Sequence, residues 1–243
     1  MAAKTKSAPA PSTNGKHVNR IADAIHIEKK AASIEHGAIV IPKPEILQVT
    51  VRIKGLTPLM IAKFSQKAIT EIEESYAGKP KNKKKEYDPQ AESDLLRHIS
   101  TEGWDGFHAA SIRAAMISAC RNVKTAKMTE MKQAIFVIAD GMDDKGTPLV
   151  RIDCEDRGIH NGIVRLANGT ACVRNRPIYH TWGATVRLQV YAGLLSGESA
   201  INLLAMAGRF CGIGEWRPSS KESTTGSYGT FEIDGEVSVK KVV

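Results

Sequence analysis

A chain of 243 residues, 42% hydrophobic and 25% charged, suffices for one elaborated domain or two small ones around a substantial core. Its formal net charge of +8 favours polyanionic partners, whereas an aromatic content of 5% disfavours binding built on many stacked bases. Cys120, Cys154, Cys172 and Cys211 are dispersed, with no Cys-x-x-Cys pair. They read as small buried apolar residues in a reducing compartment, not as a zinc site or disulfide framework. No run approaches the roughly 20 apolar residues of a membrane span, and the N-terminus lacks the apolar core of a signal peptide. A cytoplasmic protein without a membrane partner is expected.

Residues 1–44 read as a flexible tail, because the opening MAAKTKSAPAPSTNGK is rich in Ala, Pro, Ser and Lys. Seven Lys and Arg face only Asp23, Glu28 and Glu35, so the tail carries +4, half of the net charge. A weak helical pattern spans residues 21–34. The tail is read either as a contact to nucleic acid or a neighbouring subunit, or as a solvated segment with no fixed partner. Residues 45–243 form the domain.

Leu47, Val49, Val51 and Ile53 alternate with Gln48, Thr50, Arg52 and Lys54, the period of a strand with one buried face, and Gly55 ends it. Thr57-Pro58-Leu59-Met60-Ile61 is a second apolar segment. Residues 64–76 suggest a short amphipathic helix. Lys79, Lys81, Lys83, Lys84 and Lys85 follow, five lysines in seven residues. This run is read either as a solvated loop or as a flexible arm reaching for phosphates. Leu95, Leu96 and Ile99 mark a short apolar element.

Ser111 is a candidate N-cap for a helix crowded with small residues, from which Arg113 and Arg121 project towards a ligand or solvent. Residues 134–138 and 149–154 read as strands paired in a hairpin across Gly141 and Gly146. Residues 155–176 hold Gly158, Gly162 and Gly169 among Arg157, Arg165, Arg174 and Arg176, an irregular excursion with a second basic cluster. Residues 185–191 alternate as a strand, and residues 199–208 are helical.

A glycine-rich turn, Gly212-Ile213-Gly214, then opens a polar loop that closes through Gly226-Ser227-Tyr228-Gly229 into a strand at 230–233. Glycines on both rims, with Arg217 and Lys221 between them, suit either of two uses. Exposed N–H groups and cationic side chains could cradle phosphate, or the glycines could merely supply positive φ in a helix-to-strand connection. The order of elements is that of an α+β domain with an antiparallel sheet and helices on one face, nearest to the β-α-β-β-α-β unit.

Three segments together resemble the RAMP superfamily, the RNA-binding subunits of CRISPR effector complexes. Gly55-Leu56-Thr57-Pro58-Leu59-Met60 is similar to the end of that family's first strand. His108-Ala109-Ala110-Ser111-Ile112-Arg113-Ala114-Ala115 resembles its helix start. The segment from Gly212-Ile213-Gly214 to Gly226-Ser227-Tyr228-Gly229 is similar to its C-terminal glycine-rich loop, although longer. The resemblance covers residues 47–233, and its motifs amount to about thirty residues. It implies a ferredoxin-like, RRM-like core with inserted basic loops, repeated along single-stranded nucleic acid through backbone contacts largely indifferent to sequence.

On this reading the nucleic-acid contacts are Lys79, Lys81, Lys83, Lys84, Lys85, Ser111, Arg113, Arg121, Gly212, Gly214, Arg217, Lys221, Gly226 and Gly229. The partners are single-stranded RNA or DNA and further copies or subunits. A stand-alone relative from a phage or mobile element fits as well as a CRISPR subunit. No obvious counterpart exists for the aspartate-bearing loop that cuts RNA in some members, and Asp88 is the one candidate.

The chain has no Walker-type phosphate loop, no His-Glu-x-x-His and no Gly-x-Ser-x-Gly. No catalytic set, metal or cofactor is assigned. Asp140, Asp143 and Asp144 could bind a divalent ion, but acids in a glycine-bearing turn commonly just hold a hairpin in water. Two alternatives stand beside a binding protein. One is a ribonuclease of the same fold with His108 or His180 as acid or base, and the other a phage structural or assembly protein.

Overall fold

The computed structural model of the chain describes residues 41–63, 76–77, 88–165, 169, 171–221 and 223–242. The chain divides into two units, residues 1–43 and 44–243, and the second holds every element named below. The lysine-rich arm, nearly all of the helix expected at 64–76 and almost the whole tail lie outside the described residues.

The elements begin with β1 (Ile46–Gly55), β2 (Leu59–Met60), α1 (Pro89–Leu95), β3 (Gly106–His108), α2 (Ala109–Ala119) and α3 (Met128–Ala134). They continue with β4 (Ile135–Ile138), β5 (Gly141–Met142), β6 (Pro148–Arg151), β7 (Asp153–Arg165), β8 (Ala171–Tyr191), α4 (Gly197–Met206) and β9 (Phe231–Lys241). A π-helical turn, Ala207–Cys211, extends α4.

The alternation of β1 sets the centre of the fold. Val49, Val51 and Ile53 are fully buried, while Arg52 and Lys54 point to solvent. β1 pairs antiparallel with β8 (Leu47↔Val190 to Ile53↔Ala184) and with β9 (Val51↔Val237, Gly55↔Phe231). β4 pairs antiparallel with β8 at Ile135↔Val190. The central order is therefore β9-β1-β8-β4. With α2 between β1 and β4, and α4 between β8 and β9, this is the ferredoxin-like β-α-β-β-α-β arrangement. The buried side chains of α2 (Ile112, Met116) and α4 (Leu203, Leu204) join those of β1 and β8 (Val186, Leu188) in one core. Each such side chain contributes about 1.5–3 kcal/mol by leaving water.

β8 is 21 residues long and serves two purposes. Its C-terminal part completes the core sheet. Its N-terminal part pairs with β7 as a two-stranded ribbon and, at Tyr179 and Ile178, with β2.

Three expectations are corrected. The strand at 135–138 does not pair with that at 148–151. β4 joins the core sheet, whereas β6 pairs with β3 and β5 in a separate three-stranded sheet. The chain turns between them at Asp140, whose carboxylate accepts bonds from the Arg187 guanidinium and the Arg151 N–H. Beyond register shifts between Cys154 and Arg157, the described residues of the excursion at 155–176 form a regular ribbon, in which β7 and β8 pair residue for residue from Arg157↔Tyr179 to Arg165↔Ala171. Gly158 makes room for a cross-strand neighbour, since a Cβ there would lie 2.9 Å from His180 Nε2. Ser111 is not an N-cap, because α2 already starts at Ala109 behind His108, with no side-chain cap. Among the described residues no helix is long and apolar enough to cross a membrane.

Candidate nucleic-acid interface

The small residues of α2 form a groove. Its Ile112, Met116 and Ala119 turn to the core, which leaves Ala110, Ser111, Ala114 and Ser118 on the neighbouring face at three- and four-residue spacing. That face, the segment after β2 (Ile61, Ala62, Lys63) and the loop after α4 enclose a cavity of about 490 Å³. Gly212, Gly214, Arg217 and Ser219 supply the loop wall, with His98 and His108 in the lining. Lacking a side-chain cap, the N-terminal turn of α2 keeps its electropositive end at this groove. Lys63 and Arg217 bring full positive charges to it.

Two charges of the loop are held differently. Arg217 donates through Nη1 to the Gly214 carbonyl at 2.8 Å and through Nε to Ser219 Oγ at 3.2 Å, so it braces the loop it belongs to. Glu215, the acid in the lining, is paired with Arg176 from the ribbon, which removes much of its repulsion towards an anion. His98 and His108 meet edge to face with ring centroids 4.5 Å apart. Burial, followed by the charges of His108 and Lys63, pushes His98 down to about 4, against opposing contributions from Asp143 and the Ala62 main chain. His98 is therefore neutral at pH 7, and its Nδ1 has no hydrogen-bond partner among the described residues.

The glycines of the loop are explained by the protein's own main chain. Gly229 has φ +68, and a Cβ there would fall 1.8 Å from the Ile213 carbonyl oxygen. Gly214, at φ +79, would bring a Cβ within 2.4 Å of the Met60 carbonyl oxygen. Three strands of backbone meet here: Ile213 N–H donates to Gly229 C=O, Gly229 N–H to Pro58 C=O and Glu215 N–H to Met60 C=O, all within 2.9 Å. A Cβ at Gly226 would sit 2.4 Å from the Trp216 carbonyl oxygen, and Gly212 N–H bonds Ala207 C=O. The expectation of ligand-facing N–H groups fails at Gly212 and Gly229, whose donors are already used.

The remaining candidates separate. Ser111, Gly212, Gly214 and Arg217 line the groove together, and Gly226 and Gly229 support its loop. Arg113 is outside the groove lining and turns to α3 and β4, donating to the Lys132 carbonyl and lying 4.6 Å over the Phe136 ring. Arg121 is exposed beyond the C-terminal end of α2, close enough for its charge to be felt by the Cys211 thiol. Lys221 is exposed on the loop. The expected second basic cluster is partly neutralised: Arg157 pairs with Asp94 (3.5 Å) and Asp105 (3.6 Å), and Arg176 with Glu215, while Arg174 is exposed. The side chain of Arg165 lies outside the described residues.

The candidate acids have local duties. Asp88 caps α1, accepting from the Gln90 and Ala91 N–H groups. Asp143 accepts from Lys145 and Thr147 N–H within its turn. Sequence reasoning missed Lys63, His98, Ser118 and Ser219. Ser118 was accessible, since it follows Ser111 by two helical turns, and so was Ser219, which lies between Arg217 and Lys221 in the loop already singled out; Lys63 and His98 arrive from distant segments and carry no local signal.

No protein-family model matches this chain, and no curated protein sequence does. Among solved structures, the chain overlaps loosely with one in the cryo-EM structure of the Type III-B Cmr-beta bound to cognate target RNA. The identity is 15% and the TM-score 0.40, over 94% of this chain and 68% of that one. It also overlaps with the crystal structure of Cmr6 from Pyrococcus furiosus, at 12% identity and TM-score 0.37, over 78% of this chain and 99% of that one.

Proposed function

We propose that this protein binds single-stranded nucleic acid, with RNA preferred, as a repeated backbone-type subunit of the RAMP kind. One observation carries the reading. A single groove gathers an uncapped helix start, the Ser111 and Ser118 hydroxyls, Lys63 and Arg217, in a chain of net charge +8. Hydroxyls, helix-end amides and cations suit phosphate oxygens and carry no base code. Recognition is therefore of backbone and shape, largely independent of sequence. The motifs quoted above are in keeping with it.

Gel-shift titrations of single-stranded RNA, single-stranded DNA and duplex test the proposal. Single strands should shift and duplex should not. Replacing Lys63 and Lys221 with Ala should weaken binding, and should lower the slope of log K against log salt concentration by about 0.7 for each lysine that contacts phosphate. Unchanged affinity and slope would remove the groove from the interface.

The His98–His108 pair favours a second reading, metal-independent cleavage of RNA held in the groove, with a histidine in proton transfer. Incubating labelled RNA with the protein, with and without magnesium, separates the two. Intact RNA in a shifted band supports binding alone.

A further inference from the structure

Beside the groove lies an aromatic cluster that the phosphate-binding reading leaves unused. Trp216 stands between Glu215 and Arg217, both of which line the groove. It is the one non-glycine residue among those described with positive φ, at +52, a strained conformation for a bulky side chain. Two features hold it there: Tyr228 N–H donates to the Trp216 carbonyl at 3.1 Å, and Gly226 lets the returning chain pass against that same carbonyl. The strained backbone does not serve to bury the ring, since Trp216 remains 37% exposed.

The ring is nonetheless fixed. Its centroid lies 5.4 Å from that of His160 at 78°, and 6.0 Å from that of Tyr228 at 42°. His160 sits on the ribbon directly opposite Arg176, whose guanidinium binds Glu215, the residue before Trp216. Ribbon and loop are thus joined by an ion pair and an edge-on ring contact. One step further along the same ribbon face, exposed Arg174 lies opposite Gly162, which has no side chain to cover it. A rigid, partly exposed indole with a cation nearby, bordering a phosphate-type groove, is the arrangement that stacks a nucleobase.

We propose that Trp216 is a stacking platform for one base of the strand whose backbone lies in the groove. His160 and Tyr228 hold its ring, and Arg174 meets a flanking phosphate. The proposal rests on the nucleic-acid reading above and adds a base contact to it. One platform per copy agrees with the low aromatic content. Because every base offers a π-face, such a contact discriminates single strand from duplex and not one sequence from another.

The test uses the full chain with a single-stranded RNA and a strand of abasic sites of equal length. RNA should quench tryptophan fluorescence in the wild type, and that quench should vanish in Trp216→Phe, because the other two tryptophans lie away from the groove: Trp182 is buried with its indole N–H bonded to Thr57 C=O, and Trp104 is outside the groove lining with its indole N–H on Glu102. Trp216→Ala should lose roughly 5- to 150-fold in RNA affinity with an unchanged salt slope, and Trp216→Phe should lose less. Wild type and Trp216→Ala should bind the abasic strand equally. Equal RNA affinity of Trp216→Ala and wild type, or a quench that persists in Trp216→Phe, overturns the platform while salt-dependent binding leaves the groove standing. Wild-type protein that binds no nucleic acid overturns both. Should Trp216→Ala fail to fold, judged by its thermal melt, the quench in wild type against Trp216→Phe decides.

Discussion

At the scale of single residues, His98 converts burial into pH dependence. His108, Lys63 and Asp143 act on it electrostatically, and the first two add to the desolvation that holds it near 4 in the fold. In the unfolded chain an imidazole titrates near 6.5. Between those values the unfolded state takes up a proton that the folded state refuses, so stability falls as pH drops from about 6.5 towards 4 and is unaffected above that window. The loss attributable to His98 is up to about 3 kcal/mol. Denaturant unfolding at a series of pH values should show this decline in the wild type and a flatter profile in His98→Gln. A profile equally steep in the variant would assign the acid sensitivity elsewhere. The same burial that silences His98 as a charge leaves its Nδ1 without a partner among the described residues, a combination that sequence could not disclose.

At the scale of elements, the loop of residues 212–229 is a clasp. Its two rims bind each other through Ile213 and Gly229, and both bind the segment at Pro58 and Met60 that follows β1. The glycines are required by this contact of main chain with main chain. Gly229→Ala would place a methyl group on the Ile213 carbonyl at a φ that L-residues resist. The expected cost exceeds about 1 kcal/mol, with about 2–4 °C in Tm for each kcal/mol in a chain of this size. Thermal melts measure it; an unchanged Tm would mean that the rims do not meet as described. The π-helical turn works alike: Gly208 admits the Phe231 carbonyl at a distance, 2.2 Å from a Cβ position, that no other residue allows. α4 is thereby brought onto the start of β9. Arg113 shows the opposite case, a charge that reads as functional in sequence and is committed to a carbonyl and an aromatic ring in the fold.

At the scale of the whole molecule, the ferredoxin-like sheet serves as a frame on which one face of α2, the clasp and the ribbon converge. The proposed repetition of copies along a strand is testable by size-exclusion chromatography with RNAs of increasing length. The mass of the complex should rise stepwise with the length of the strand, and free protein should elute smaller. Assembly that is large without nucleic acid and indifferent to its length would instead favour the assembly-protein reading. Much of this frame was legible beforehand. The alternation in β1, the small-residue helix after His108 and the alternation at 185–191 each report on which side of an element is dry, and their order yields the α+β class. The pairing of β4 was not legible, because a four-residue strand carries no mark of its partner. Nor was the regular ribbon, whose glycines and arginines look like a loop until cross-strand neighbours occupy the space.

What the sequence determined by itself was therefore local: the period of each element, the basic balance and the presence of a glycine-rich connection. The periods and the connection follow from residues within a few positions of one another, and the basic balance from composition alone. Only the tertiary structure decided that Lys63, Ser111 and Arg217 share a groove, that the glycines serve the fold's own backbone, and that Trp216 is held partly in solvent. Those facts depend on segments far apart in the chain, brought within contact distance by burying the core, and no local pattern encodes a contact of that kind.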